Sequence, residues 1–195
     1  MKVSCIILSG GRSSRLRNKP FLLLGKKPLV SYVLKIAKKF FSDIIVVVKN
    51  KSQRKKMEKI VVKRIKVVED RTRTSSPIAG IKEGVKHARN EYVFVLACDM
   101  PLIREKTIRE LLPRTEEGVD CIAYIWKLGR YEPLCAIYRK NVFDSCKLRT
   151  GLHQLIDSIE NKVFVPIAKE TNEFFNVNTK KDLKTAKELL GSKLG

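Results

Sequence analysis

The sequence predicts an α/β protein with a Rossmann-like, doubly wound and mostly parallel sheet, broken by one antiparallel hairpin or edge excursion. Three observations carry this expectation. Short Val- and Ile-rich runs, apolar on both faces, alternate with segments whose apolar residues recur at helical spacing. The connections between them are short, as right-handed βαβ units allow. The 195 residues, 44% hydrophobic and 31% charged, suit one folded domain over residues 1–195 rather than a disordered chain.

Taken in order, the first strand runs from Val3 to Leu8. Gly10, Gly11 and a basic stretch from Arg12 follow too soon for the h-region of a signal peptide. Val30, Val33, Leu34, Ala37 and Phe41 then mark a helix, and Ile44 to Val48 a second strand. Between Lys49 and Lys66 a dense run of cations is relieved only by Glu58; it reads as a solvated helix face. No aromatic residue interleaves with it, so the stacking platform of a single-strand nucleic-acid binder is missing. A third strand is expected from Ile65 to Val68.

Ile78, Ile81, Val85 and Ala88 form the next helical pattern, with Ser76 placed to cap it and Pro77 suited to its first turn. Gly80 and Gly84 share one face of that helix, which suggests close packing rather than nucleotide contact. Tyr92 to Ala97 is a strand, Ile108, Leu111 and Leu112 a helix, and Cys121 to Ile125 another strand. Around Lys127-Leu128-Gly129-Arg130 two strand-like runs are set to pair as the hairpin. Trp126 and Tyr131 flank it and are expected to pack there rather than stack on a ligand ring. The closing helix begins at Thr179, where Asp182 completes a capping-box pattern.

Composition excludes several classes. No apolar run approaches the ~20 residues that cross a bilayer, and a cytoplasmic location is expected. Cys5, Cys98, Cys121, Cys135 and Cys146 form no C-x-x-C pair and read as buried free thiols. His87 and His153 lack an acid or thiol partner at a telling spacing and read as surface or satisfied residues. The excess of 41 Lys+Arg over 20 Asp+Glu, a net charge of +21, favours polyanions: nucleotides, phosphorylated substrates or nucleic acid.

In an open parallel sheet the C-terminal strand ends share one edge, and ligands bind outside it. The first strand runs into Ser9-Gly10-Gly11-Arg12-Ser13-Ser14-Arg15-Leu16-Arg17-Asn18-Lys19, the third ends at Val68-Glu69-Asp70, and the fourth at Ala97-Cys98-Asp99-Met100-Pro101. A glycine loop, cations and two carboxylates thus converge on one rim. The glycines let backbone approach a base or phosphate, Arg15 and Lys19 can neutralise phosphate oxygens, and Asp99 suits Mg²⁺, which takes one or two carboxylates plus substrate phosphates. The spacing excludes both a P-loop and a dinucleotide-binding G-x-G-x-x-G.

Leu8-Ser9-Gly10-Gly11 with Arg15 and Lys19 resembles the signature of the molybdenum cofactor guanylyltransferase family. Val68-Glu69-Asp70, Ser76-Pro77-Ile78-Ala79-Gly80, Cys98-Asp99-Met100-Pro101, Glu132-Pro133-Leu134 and Asn176-Val177-Asn178-Thr179 follow in the order that family shows. The resemblance implies a sheet of the nucleotide-diphospho-sugar transferase type and transfer of GMP from Mg-GTP to molybdopterin, with pyrophosphate released. By position, Leu8, Ser9, Gly10, Gly11, Lys19, Asp70 and Asp99 would bind GTP, Asp99 would hold the metal, and Asn176 and Asn178 would lie near the acceptor phosphate. Arg15, Lys19 and Asp99 would be the catalytic group.

The related cytidylyl branch tends to have Ala where Gly10 stands, which favours GTP over CTP. One departure is Arg17, where the family usually has glycine; it offers a further phosphate contact or marks a different acceptor. The alternatives are the same chemistry on adenosylcobinamide phosphate or a sugar phosphate, cytidylyl transfer to molybdopterin, or a non-catalytic nucleic-acid-binding module. The enzyme reading implies GTP and molybdopterin as partners, no membrane or nucleic acid, and a monomer with at most transient contact with other proteins of the cofactor pathway.

Overall fold

The computed structural model describes residues 2–10, 16, 18–72, 74, 76–115, 118–167 and 171–191. Its elements are β1 (Val3–Leu8), β2 (Leu23–Leu24), β3 (Lys27–Pro28), α1 (Leu29–Phe40), β4 (Ile44–Val48), α2 (Lys51–Glu58) and β5 (Lys66–Glu69). They continue with α3 (Pro77–His87), β6 (Tyr92–Ala97), α4 (Glu105–Leu111), β7 (Cys121–Ile125), β8 (Tyr131–Arg139), α5 (Leu152–Ser158), β9 (Lys162–Pro166) and α6 (Lys180–Gly191).

Seven strands form one sheet in the order β5-β4-β1-β6-β8-β7-β9, and β2 pairs with β3 in a small antiparallel ribbon. The pairs β4/β5, β1/β4, β1/β6 and β7/β9 are parallel. Only β8 runs the other way, hydrogen-bonded to β6 on one side and β7 on the other. The hairpin therefore forms as the sequence suggests, with its return strand inserted inside the sheet instead of lying at an edge.

Strand residues alternate between two cores, as a period of two requires. On one face Cys5, Ile7, Val46, Val48, Phe94 and Leu96 pack against α1, Met57 of α2, and Ile108 and Leu111 of α4. On the other, Ile6, Ile45, Val47, Val93 and Val95 meet Ile78 and Ile81 of α3 and Leu152, Leu155 and Ile156 of α5. A smaller cluster of Leu16, Leu24, Leu29, Val177 and Ala186 fastens α6 and the β2–β3 ribbon together.

Helix α3 shows why its glycines matter. A Cβ on Gly84 would stand 2.7 Å from Ile6 Cγ2, and one on Gly80 would stand 3.1 Å from Leu8 Cδ2, so the packing reading holds. Ser76 Oγ accepts from Ile78 N–H at 3.2 Å. At α6, Thr179 Oγ1 accepts from Asp182 N–H at 3.1 Å and Asp182 Oδ2 from Thr179 N–H at 2.8 Å, which closes the expected capping box.

The basic run divides. Lys51, Lys55 and Lys56 of α2 face solvent as expected, whereas Lys49 and Lys66 turn inward to carboxylates. All five cysteines are free thiols, and four are buried. His87 pairs with Glu83 one turn back at 3.3 Å, a partner the sequence reading passed over, and His153 stacks on Tyr131 with centroids 5.9 Å apart. Among the described residues no helix is long and apolar enough to cross a membrane.

Candidate functional site

The C-terminal ends of β4, β5, β1 and β6 share one rim. The sheet extends one residue past β1 there, because Ser9 N–H donates to Val47 O at 2.8 Å and Leu8 O accepts from Cys98 N–H at 3.0 Å. These backbone groups are thus committed to the protein itself. A Cβ on Gly10 would lie 3.0 Å from Lys49 N and 3.1 Å from Val48 C, so the close approach that demands glycine at this position is to the chain beyond β4.

What the rim leaves unpaired is a hydroxyl. Ser9 is 3% exposed, and its Oγ makes no hydrogen bond of ordinary geometry to any described residue. Its neighbour is the Cys98 thiol, a weak partner; burial, and secondly the Asp99 charge, push that thiol up to about 12, so it stays protonated at neutral pH. An orphaned buried hydroxyl costs free energy unless something else supplies its partner.

Beside it stands the polar cluster that the strand ends predict. Lys19, in a single 3₁₀ turn opened by Asn18 in a left-handed conformation, donates from Nζ to Asp99 Oδ2 at 2.5 Å and to Asn178 Oδ1 at 2.9 Å. Both Lys19 and Asp99 keep a small solvent opening, with side chains 14% and 15% exposed. Val177 N–H bonds to Asp99 O at 2.9 Å, which fixes the 176–178 segment against the end of β6. Residues distant in sequence by 80 and 159 positions therefore meet on one ammonium.

Asp70 lies on the same rim but three strand spacings away from β6, about 14 Å. There Lys49 Nζ donates to Asp70 Oδ2 at 2.9 Å and to the Thr72 and Thr74 carbonyls at 2.7 Å each. Thr72 donates to Asp70 Oδ1 from its N–H and hydroxyl. Burial alone would raise the Asp70 carboxyl, but the bonds from Thr72 and Lys49 outweigh it and hold the group below the usual carboxylate range. Sequence reasoning missed Lys49. It ends a strand as Asp70 and Asp99 do, and that signal was hidden in a run of surface cations.

The two asparagines part company. Asn178 belongs to the Lys19 cluster, whereas Asn176 Nδ2 donates to Phe174 O at 3.0 Å and lines a neighbouring cavity. Trp126 reaches that cavity as well, with its Nε1 donating to Glu132 Oε1 at 2.5 Å. Gly11, Arg15 and Arg17 lie outside the described residues.

Asp99 is the carboxylate of the Lys19 cluster that could help to hold a divalent cation. Among the described residues no three His, Cys, Asp or Glu side chains gather as a dedicated cage. One partly open carboxylate beside a lysine matches a hard cation completed by ligand phosphates and water.

Known proteins resemble this chain in sequence and in fold. The MobA-like NTP transferase domain matches residues 5–163. A probable molybdenum cofactor guanylyltransferase of Clostridium perfringens is 31% identical over 193 residues, covering 92% of this chain and 93% of that protein. One from Natranaerobius thermophilus is 32% identical over 205 residues and 97% of each chain. In fold, the crystal structure of molybdopterin-guanine dinucleotide biosynthesis protein A from Archaeoglobus fulgidus superposes with a TM-score of 0.75 at 24% identity, over 97% of this chain and 100% of that one. On these matches the chain belongs to the MobA-like NTP transferase family.

Proposed function

We propose that the protein transfers GMP from Mg-GTP to the terminal phosphate of molybdopterin, releasing pyrophosphate. The observation that carries this reading is the Lys19 ammonium shared by Asp99 and Asn178 beside the orphaned Ser9 hydroxyl. It gathers a cation, a carboxylate and an unpaired hydrogen-bonding group on the edge where an open parallel sheet takes its ligands.

Leu8, Ser9, Gly10 and Asp70 are assigned to the nucleoside end of GTP, and Lys19 and Asp99 to its phosphates. The ~14 Å between the Asp70 and Asp99 strand ends suits an extended nucleoside triphosphate. Gly11 and Arg15 join these groups on sequence grounds. Asp99 would hold Mg²⁺, which when bound neutralises charge on the phosphate oxygens.

An acceptor phosphate oxygen attacks the α-phosphorus in line, and the bond to the leaving pyrophosphate breaks. Lys19 offsets charge on the equatorial and leaving oxygens, and Asn176 and Asn178 orient the acceptor phosphate. That phosphate is already ionised at neutral pH, so no side chain has to remove a proton. The partners of the two histidines agree: they are Glu83 and the Tyr131 ring, not Lys19 or Asp99.

Pyrophosphate release measured with each of the four NTPs against molybdopterin, adenosylcobinamide phosphate and a sugar phosphate tests the reading. GTP with molybdopterin is expected to exceed every other pair. A faster reaction with CTP or another acceptor would reassign the substrate, and no release with any pair would end the transferase reading.

A further inference from the structure

The same rim holds a second feature beside the Lys19 cluster. A cavity of about 510 Å³ lies between the β7–β8 hairpin and residues 171–176, walled by Trp126, Tyr131 and Phe174 with Glu132 and Asn176 as polar groups. That volume is within the range that encloses a small molecule. Glu132 is only 8% exposed, and its described contacts both fall on Oε1: the Trp126 N–H at 2.5 Å and Arg130 Nη2 at 3.8 Å. A carboxylate accepts at about four lone-pair positions, so Glu132 keeps acceptor capacity on Oε2. Burial pushes its carboxyl up, and Trp126, Arg130 and His153 offset only part of that shift.

Register ties this carboxylate to the phosphate cluster. Leu96 pairs with Cys135, so Asp99, in the turn just past the end of β6, and Glu132, three residues back along β8, come out at the same rim from adjacent strands. The 176–178 segment joins the two places, with Asn176 lining the cavity and Asn178 on Lys19. Two residues of extended chain span about 7 Å.

We propose that this cavity seats the flat heterocycle of the acceptor, with Glu132 accepting from two adjacent N–H donors on the ring edge, as a pterin presents at N3–H and its 2-amino group. A carboxylate only accepts, so a ring with a carbonyl in place of the amino group would set acceptor against acceptor. Trp126 orients Glu132 through its N–H and adds an aromatic wall. The identity of the acceptor as a pterin rests on the guanylyltransferase reading, whereas the donor-edge preference rests on Glu132.

The test uses 6-hydroxymethylpterin phosphate and the matching lumazine, which has a 2-oxo group in place of the 2-amino group, titrated by ring fluorescence without nucleotide. The wild-type protein is expected to bind the pterin at least about tenfold more tightly than the lumazine. Glu132→Gln is expected to bring that ratio near one. Trp126→Phe, which keeps the carboxylate, should weaken both ligands while retaining the preference. Equal binding of the two rings by wild type overturns the proposal, and that comparison decides alone should Glu132→Gln fail to fold. An unchanged preference in a folded Glu132→Gln overturns it too. Since no nucleotide is present, absent guanylyl transfer would refute the transferase reading and leave this result standing.

Discussion

Each end of the central sheet sets a buried serine near an aspartate, and the two ends treat them oppositely. At the N-terminal end Ser4 Oγ donates to Asp43 Oδ2 at 2.7 Å and accepts from Asn90 N–H and Nδ2 at 3.1 Å each. Asp43 also takes the Arg89 N–H at 2.9 Å and the Lys66 ammonium at 3.2 Å. At the C-terminal end Ser9 Oγ has only the weak Cys98 thiol beside it, and Asp99 shares a partly open lysine. A saturated cluster contributes to the stability of the fold, whereas an unsaturated one is held ready for something the chain does not contain. On the proposed function, the difference would separate structural from functional polar groups more sharply than burial does, because both serines are buried.

The sharpest way to break this contrast is to remove each aspartate. Asp99→Ala is expected to lower kcat for guanylyl transfer by about 10³-fold or more, since it removes the proposed metal ligand and lets Lys19 drift. Its unfolding midpoint in denaturant should stay close to wild type. Near-normal turnover would refute the assignment of Asp99.

Asp43→Ala should do the reverse, costing about 2–4 kcal/mol in urea unfolding while sparing kcat, because it strands Ser4, Lys66 and the Arg89 N–H. The pH dependence carries the same sign. Burial would raise the Asp43 carboxyl, but the bonds from Arg89, Ser4 and Lys66 bring it below its ordinary value. Its contribution is therefore full above the pKa of the unfolded chain and is lost as pH falls through the lower folded value. The variant should show a shallower acid loss of stability.

Lys49→Met probes a position between these extremes. It leaves Asp70 Oδ2 and the Thr72 and Thr74 carbonyls without their shared donor. A weakening of GTP binding by about tenfold is expected, about 1.4 kcal/mol, as the loop beyond β5 loses its anchor. The Asp70 carboxyl should titrate at higher pH than in wild type, a shift that NMR can read and that loss of packing alone would not produce. An unmoved Asp70 titration would show that Lys49 does not hold it.

The sequence showed the parallel half of the molecule well and the other half less so. Both-face apolar runs such as Ile44 to Val48 leave little choice but a covered strand, and the Ser76 and Thr179 caps are chemical signals that need no tertiary context. β9 reads Lys-Val-Phe-Val-Pro, is mostly half-buried, and lies on the outer edge, so its pattern is weak. α5 has only three buried residues in seven. The position of β8 between β6 and β7 depends on long-range pairing that periodicity does not record.

At the site, strand-end logic brought Lys19 and Asp99 together and the family resemblance pointed to Asn178, but the role of Lys49 depends on where one of many lysines points. The glycine at position 10 was legible as a close approach; that it approaches the chain beyond β4 was not.

The smallest expected effect sharpens the comparison furthest, because it sets like against like. Ser4→Ala removes a hydroxyl that bridges Asp43 and Asn90, and should cost about 1–2 kcal/mol in denaturant unfolding. Ser9→Ala removes a hydroxyl that has only the weak Cys98 thiol beside it, so the unliganded protein should change by less than about 0.5 kcal/mol, or gain slightly. Burial and side-chain size are matched, which leaves hydrogen-bond saturation as the variable. If Ser9 completes its bonding on GTP, the variant's cost should emerge only with ligand, as a smaller rise in unfolding midpoint when Mg-GTP is added. Equal stability losses in the two serine variants without ligand would show that both ends of the sheet are structural, and the division drawn between them would fail.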